Sequence, residues 1–201
     1  MHSFLFNQSV RIQTCLLMLL CSALSGCVGV SPGHESAVVT RVQMQMGTLV
    51  RITAAAQSES VAQGAVTAGF AEIRRLEDLL STWIPTSELS RINASAGVMP
   101  VHVSPETLTV VQRAMQAAEM TDGGFNIAIG PAVDAWSVIE DRRIPSEFEL
   151  EALRPLVDLQ AVHVDVREQM IYLGKAGMRI DVGGIGKGYA ADQAVDALRR
   201  A

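Results

Sequence analysis

Apolar positions recur along this chain in two spacings, and the switches between them divide it into elements. Val42, Met44 and Met46 alternate with polar neighbours, and Leu49 and Ile52 follow beyond Gly47, which reads as strand with a break at the glycine. From Glu59 to Trp83 the spacing becomes helical, with Ala65, Ile73, Leu76 and Leu80 on one face and Arg74, Arg75, Glu77 and Asp78 mostly opposite; Gly64 and Gly69 weaken it locally. Ser104-Pro105-Glu106 is a helix start, with serine as cap and proline in the first turn, and Leu108, Val111, Met115 and Ala118 continue it as a core stripe. Ser146 and Glu149 have the spacing of a capping box for a short helix that stops before Pro155. Val162, Val164 and Val166 alternate, residues 167–169 turn the chain, and Met170 to Leu173 return, predicting a β-hairpin. Met178, Ile180 and Val182 alternate once more as a strand, and from Tyr189 the pattern is helical to Arg199. Strands and helices interleave irregularly rather than as repeated βαβ units, so the expected class is α+β, a mixed sheet with packed helices.

The beginning of the chain follows a different logic. Cys15 to Ser25 is apolar but shorter than the ~20 residues a spanning helix needs. It runs into Leu24-Ser25-Gly26-Cys27, a lipobox in which small residues precede a cysteine able to carry a diacylglycerol. The expected organisation is a lipoprotein signal peptide at 1–26, a Ser/Pro/Gly-containing tether at 27–37, and the folded domain at 38–201, held by lipid on the periplasmic side of a bacterial membrane, the inner one favoured and the outer one possible. Of the three cysteines, Cys15 and Cys21 leave with the signal and Cys27 takes the lipid, so no disulfide framework forms and the domain relies on its core, which a 49% hydrophobic composition supplies. The signal contains a single charged residue, Arg11, so its removal makes the formal charge of −5 more negative still. That balance argues against nucleic-acid binding, which depends on neutralising phosphates.

The richest chemistry lies in Asp181-Val182-Gly183-Gly184-Ile185-Gly186-Lys187-Gly188, where the apolar strand pattern gives way to a helix. Glycines let the backbone approach a ligand closely, and a helix start offers unpaired N–H groups and a positive dipole end to a phosphate. Lys187 adds charge, and Asp181 suits a nucleotide hydroxyl, a base edge or a metal ion. A Walker loop is excluded, because Asp181 stands where its first glycine would be and Gly188 where its Ser/Thr would be. A Rossmann turn is excluded because Gly184, Gly186 and Gly188 are spaced by two. The alternative is a glycine-rich turn with a solvated lysine.

This run resembles the nucleotide-site signature of the ApbE family, the FAD:protein FMN transferases, and three earlier segments match that family in order. Met46-Gly47-Thr48 is similar to its Met-Gly-Thr opening. Leu80-Ser81-Thr82-Trp83 with Ser87-Glu88-Leu89-Ser90-Arg91-Ile92-Asn93 is similar to its Leu-Ser-x-aromatic and Ser-Glu-Leu-x-x-x-Asn segment. Gly124-Phe125-Asn126 with Gly130-Pro131 and Trp136 resembles its Gly-x-Phe-Asp-x-x-x-Gly-Pro and downstream tryptophan, with Asn126 standing where the family usually has Asp.

The resemblance implies an ApbE-like (T-fold-like) domain that transfers FMN from FAD to a threonine hydroxyl of a target protein, a membrane electron-transfer subunit, with release of AMP and with magnesium. It implies that Met46, Ser81, Thr82, Trp83, Gly124, Phe125, Asn126, Asp181 and Lys187 line the FAD site and that the Gly184 carbonyl binds Mg2+. Read without the family, Trp83 is either a cover for a flat ring or a core or rim tryptophan, and Met46 is packing. The family continues past the lysine-glycine segment to motifs that complete the metal site, so the expectation here is an incomplete C-terminal part. Other readings of the same site are a non-catalytic FAD-binding lipoprotein, an FAD pyrophosphatase using water in place of threonine, and an inactive remnant. His34, His102 and His163 are scattered and read as ordinary surface or strand residues.

Overall fold

The computed structural model describes residues 36–137 and 143–201; the signal peptide, Cys27, His34 and all but the last two residues of the tether lie outside them. Strands β1 (Ala37–Gln45) and β2 (Thr48–Ala56) form an antiparallel hairpin in continuous register from Ala37 against Ala56 to Gln45 against Thr48. The two turn residues, Met46 and Gly47, both have positive φ, 50° and 69°, the primed geometry whose twist matches that of the strands. Glycine adopts it freely, whereas a side chain such as that of Met46 costs about 1 kcal/mol there. Val42 and Met44 face outward on this hairpin, and the inward side carries Val39, Gln45 and Ile52. Long polar residues share that inward side because the following helix supplies partners: Gln45 Nε2 donates to Phe70 O at 3.1 Å, and the Arg41 guanidinium donates to Thr67 Oγ1 at 2.7 Å and lies over the Phe70 ring.

Helix α1 (Glu59–Leu80) packs across the hairpin with Ala62, Ala65, Val66, Phe70, Ile73, Leu76 and Leu80 buried. It ends three residues before Trp83, where the sequence pattern placed its limit, because Ser81 turns into extended backbone and its hydroxyl takes the Trp83 N–H at 3.1 Å. Gly69 sits where three elements converge: a Cβ there would meet Ile52 Cδ1 at 3.0 Å and Leu198 Cδ1 at 3.1 Å. Helix α2 (Glu88–Ala94) is capped by Ser87, and α3 (Pro105–Met120) by Ser104, as its serine and proline predict. A 3-10 turn, Ile127–Ile129, leads into α4 (Gly130–Trp136). Helix α5 (Glu147–Leu153) opens on a complete capping box between Ser146 and Glu149 and stops before Pro155.

The expected hairpin is present as β4 (Val162–Asp165) and β5 (Met170–Leu173), and a short β3 (Val101–His102) pairs with the other edge of β5. Val166 falls in the turn rather than the strand, since Asp165 Oδ1 accepts the Arg167 and Glu168 N–H groups and curls the chain. His163 stacks on Tyr172, and His102 sits on β3, in keeping with ordinary strand histidines.

The segment Met178–Val182 is not part of a ladder among the described residues. Its alternation is genuine, with Met178, Ile180 and Val182 all buried, but Ile180 takes its backbone partners from a side chain, Asn93, in place of a neighbouring strand. Helix α6 (Gly186–Arg200) then begins three residues ahead of Tyr189 and runs along α1. Two apolar cores result, a large one around Leu76, Ile92, Val110, Ile171 and Ile180 and a smaller one around Val39, Ile52, Phe70 and Ala194, and Met46 packs against both.

Candidate nucleotide site

Three stretches of chain, with Val133 of α4 beside them, converge on a cavity of about 540 Å³, lined by Met46 and Gly47, by Glu77 and Leu80 to Ile84, and by Asp181 to Gly183 with Gly186 and Lys187. The volume lies in the range of small-molecule and cofactor sites, ~300–1,000 Å³.

The first wall is the β1–β2 turn. Its Met46 N–H donates to Glu77 Oε1 at 2.6 Å, which ties the left-handed residue to the last turn of α1. The second wall is the turn after α1. Ser81 O accepts the hydroxyls of Ser87 and Ser90, Ser81 Oγ accepts the Trp83 N–H, and the Trp83 indole is left 64% exposed at the rim. An indole held on a short, pinned turn and open to solvent is a flat apolar surface ready for a ring.

The third wall is the glycine segment. Asp181 N donates to Ile127 O at 2.8 Å, and Asp181 Oδ1 accepts the Gly183 N–H at 2.7 Å, closing a local turn. Val182 O accepts from both Ile185 and Gly186, and α6 starts there without a side-chain cap. The backbone N–H groups of Lys187 and Gly188 have no partner among the described residues, so the helix start presents donors and the positive dipole end beside the cavity. Lys187 Nζ donates to Gly183 O at 3.4 Å, a long contact that keeps the ammonium over the loop. Behind this wall, Arg179 pairs with Asp134 of α4 at 2.7 Å, and a Cβ on Gly130 would lie 2.6 Å from Arg179 O, so α4 and the loop are in direct backbone contact.

Of the residues the resemblance assigns to the FAD site, the structure brings Met46, Ser81, Thr82, Trp83, Asp181 and Lys187 to this one cavity. Gly124, Phe125, Asn126 and Gly184 are not among its lining residues. Phe125 presses on Gly184, where a Cβ would fall 2.9 Å from Phe125 Cε2, and the Phe125 N–H is held by Thr121 Oγ1. Asn126 Oδ1 caps the 3-10 turn by accepting the Ala128 N–H at 2.8 Å. A carboxylate can make the same cap, so this role is open to Asn and Asp alike.

Glu77 was missed, because it read as part of the polar face of α1. A signal existed: α1 has no basic residue in its last turn, and an acid there opposes the helix dipole, so a carboxylate at that place calls for a donor from elsewhere. Val133 and Ile84 carried no such signal.

The sequence model of the ApbE family matches residues 46–201. The chain belongs to the ApbE family. Among its relatives, it is 36% identical over 132 residues to an FAD:protein FMN transferase of Klebsiella pneumoniae, covering 65% of this chain and 42% of that protein. It is 30% identical over 190 residues to the FAD:protein FMN transferase of Treponema pallidum, covering 91% of this chain and 51% of that one. The chain thus spans about half the length of the curated relatives it matches. The fold superposes on the ApbE protein of Thermotoga maritima with a TM-score of 0.76 at 27% identity, covering 82% of this chain and 53% of that one. For the flavin transferase ApbE of Vibrio cholerae the TM-score is 0.74 at 27% identity, over 82% of this chain and 54% of its counterpart. The mixed α+β class is therefore that of the ApbE fold.

Proposed function

We propose that this chain provides the FAD-binding walls of an FAD:protein FMN transferase. The observation that carries the reading is the convergence of an exposed, pinned Trp83 and an uncapped, lysine-bearing helix start on one cavity of nucleotide size, in a chain of the ApbE family. FAD offers what each wall can use. The Trp83 face suits a flat ring, the Lys187 ammonium and the free N–H groups of α6 suit a pyrophosphate, and the Asp181 carboxylate suits a hydroxyl or amino group.

In the proposed reaction the hydroxyl oxygen of an acceptor threonine attacks the flavin-side phosphorus of FAD. A new phosphoester bond forms to that oxygen, the bond from the same phosphorus to the bridging oxygen breaks, AMP leaves with the bridging oxygen, and the threonine proton is released. The nucleophile comes from the target protein, so no Ser-His-Asp set is required of this chain. Its own residues bind and orient. Lys187 and the α6 N–H groups offset negative charge growing on the pyrophosphate, and the Asp181–Gly183 turn fixes the loop so that the reacting bond is held in one place.

Magnesium belongs to the reading through the resemblance, with the Gly184 carbonyl as a ligand. The described residues contain no group of three or more His, Cys, Asp or Glu that could hold a metal ion. Magnesium favours near-octahedral oxygen coordination with carboxylates among the ligands, so the described residues do not fit the ion on their own. Lipid attachment at Cys27, a periplasmic location and a membrane electron-transfer subunit as acceptor complete the proposal; among the described residues no helix is long and apolar enough to cross a membrane.

The test is to mix purified protein, FAD, Mg2+ and a peptide bearing the acceptor threonine. FMN covalently on the peptide upholds the transferase. Free FMN with AMP indicates hydrolysis instead, and a saturable FAD titration without either product indicates binding alone.

A further inference from the structure

We propose that Glu77 is a positioning residue for the nucleotide site, holding Met46 in place through its backbone; this rests on the reading of the cavity as the FAD site. Met46 occupies a left-handed conformation that is uncommon for a non-glycine residue, with φ at 50°, and the two-residue turn of the hairpin requires it. A charge-assisted hydrogen bond from its N–H to Glu77 Oε1, 2.6 Å long, ties that turn to α1 across 31 residues of sequence.

Glu77 occupies a place where a helix disfavours it. It lies in the last turn of α1, near the partial negative charge of the helix end, with no basic residue in that turn to offset it. The same residue also shapes the opposite wall, since its carbonyl accepts the Ser81 N–H at 3.0 Å at the point where the chain leaves the helix for the Ser81–Trp83 turn. One residue therefore joins two of the three walls.

The consequence reaches the third wall through the Met46 side chain. A Cβ placed on Gly186 would lie 3.9 Å from Met46 Cε, so the methionine methyl lies beside the start of α6, and Met46, Gly186 and Lys187 line the cavity together. Release of the Met46 N–H frees the turn from α1, and the Met46 side chain is no longer held at that position.

The experiment is an FAD titration, followed by flavin fluorescence, on the full chain and on Glu77→Ala, Glu77→Gln, Met46→Gly and the double variant Glu77→Ala/Met46→Gly, with thermal unfolding recorded for each. Glu77→Ala is expected to weaken FAD binding about tenfold. Glu77→Gln, whose amide oxygen accepts the same N–H, restores affinity to within about threefold of wild type with unchanged unfolding. In the Met46→Gly background the Glu77→Ala change has little further effect, because the side chain that the bond places is gone. Affinity of Glu77→Ala equal to wild type, failure of Glu77→Gln to rescue, or additive losses in the double variant each overturn the assignment. If wild type itself binds no FAD, the FAD reading fails and the clamp is judged by amide hydrogen exchange. Faster exchange at Met46 and Gly47 in Glu77→Ala than in wild type then upholds the clamp, and equal exchange overturns it.

Discussion

The side-chain amide of Asn93 closes a two-bond ring with the backbone of Ile180: Nδ2 donates to Ile180 O at 3.0 Å, and Ile180 N donates to Oδ1 at 2.8 Å. Asn93 is 8% exposed and Ile180 fully buried, so both backbone groups lie beyond the reach of water. An amide side chain here does what an adjacent strand would do, and it does so one residue before Asp181, at the entry to the glycine loop.

Asn93→Ala leaves a buried N–H and a buried C=O unpaired, and the expected loss is about 2–4 kcal/mol of unfolding free energy, read by urea denaturation. Asn93→Asp is expected to be worse than its isosteric shape suggests, because it removes the donor and buries a charge with one remaining partner. A loss below about 0.5 kcal/mol for Asn93→Ala contradicts the ring as a structural element.

The glycines of the loop divide by what surrounds them. A Cβ on Gly184 would fall 2.9 Å from the Phe125 ring, so Gly184→Ala forces that ring outward, and a loss of about 1–3 kcal/mol is expected together with weaker FAD binding. Nothing lies within 4 Å of a Cβ on Gly188, which is already inside α6, and Gly188→Ala is expected to stabilise the chain by up to about 1 kcal/mol. If Gly188→Ala keeps its stability gain but loses FAD affinity, a ligand occupies the space that the Cβ enters.

This contrast shows what the sequence made legible. Helix starts were readable because the caps are local: Ser104 with Pro105, and Ser146 with Glu149, stand next to the N–H groups they satisfy. The hairpin Val162–Leu173 was readable for the same reason, and the α+β class followed from those elements. The end of α1 was not, because it is decided by Ser81 accepting the Trp83 N–H against an apolar stripe that continues to Leu80. The strand-like Met178–Val182 pattern reported burial correctly and pairing incorrectly, since alternation records which side chains face the core and says nothing about an asparagine 87 residues earlier. In the site, motif residues whose chemistry is in the side chain, Lys187 and Trp83, reached the cavity. Gly184 and Asn126 are absent from the lining of that cavity and make packing and capping contacts, which leave a ligand role for either one open.

Acid and alkali should act on different joints. Hydrogen bonding to Arg75 holds the Glu72 carboxyl below its usual value, and Arg75 also pairs with Glu106 on α3 at 2.8 Å. A lowered native pKa contributes stability that is present above the ordinary carboxylate value of about 4.3 and is lost as pH falls through the lower native value. Because Arg75 is largely solvent-exposed, the contribution is under about 1 kcal/mol. Tyr189 moves the other way, since burial raises its phenol pKa. Its contribution is full below the ordinary value of about 10 and is lost as pH rises through the higher native value. Unfolding midpoints of Tyr189→Phe and wild type should therefore converge in neutral solution and separate above pH 10, with wild type the less stable there.

Lipidation gives a prediction independent of the fold. Expressed from Met1 in a Gram-negative host, the wild-type chain should partition with membranes and incorporate labelled fatty acid. Cys27→Ala should lose the label and move to the soluble fraction, with the folded domain unchanged by circular dichroism. Membrane association that survives the substitution contradicts anchoring at Cys27.

Lys187 is the most direct test of the anion reading. Among the described residues its ammonium makes one long contact, to Gly183 O, so Lys187→Ala is expected to leave stability within about 0.5 kcal/mol of wild type. Loss of a charge-assisted contact to a phosphate should lower FAD affinity about tenfold and flatten its salt dependence, because screening then has one fewer attraction to weaken. Lys187→Arg keeps the charge and should recover part of both. Since the described residues make no metal cluster, chelation of divalent ions should change the Kd of this chain for FAD less than Lys187→Ala does. A chelator effect larger than the lysine effect would mean that a metal ion, and not the Lys187 ammonium, dominates the field at the pyrophosphate.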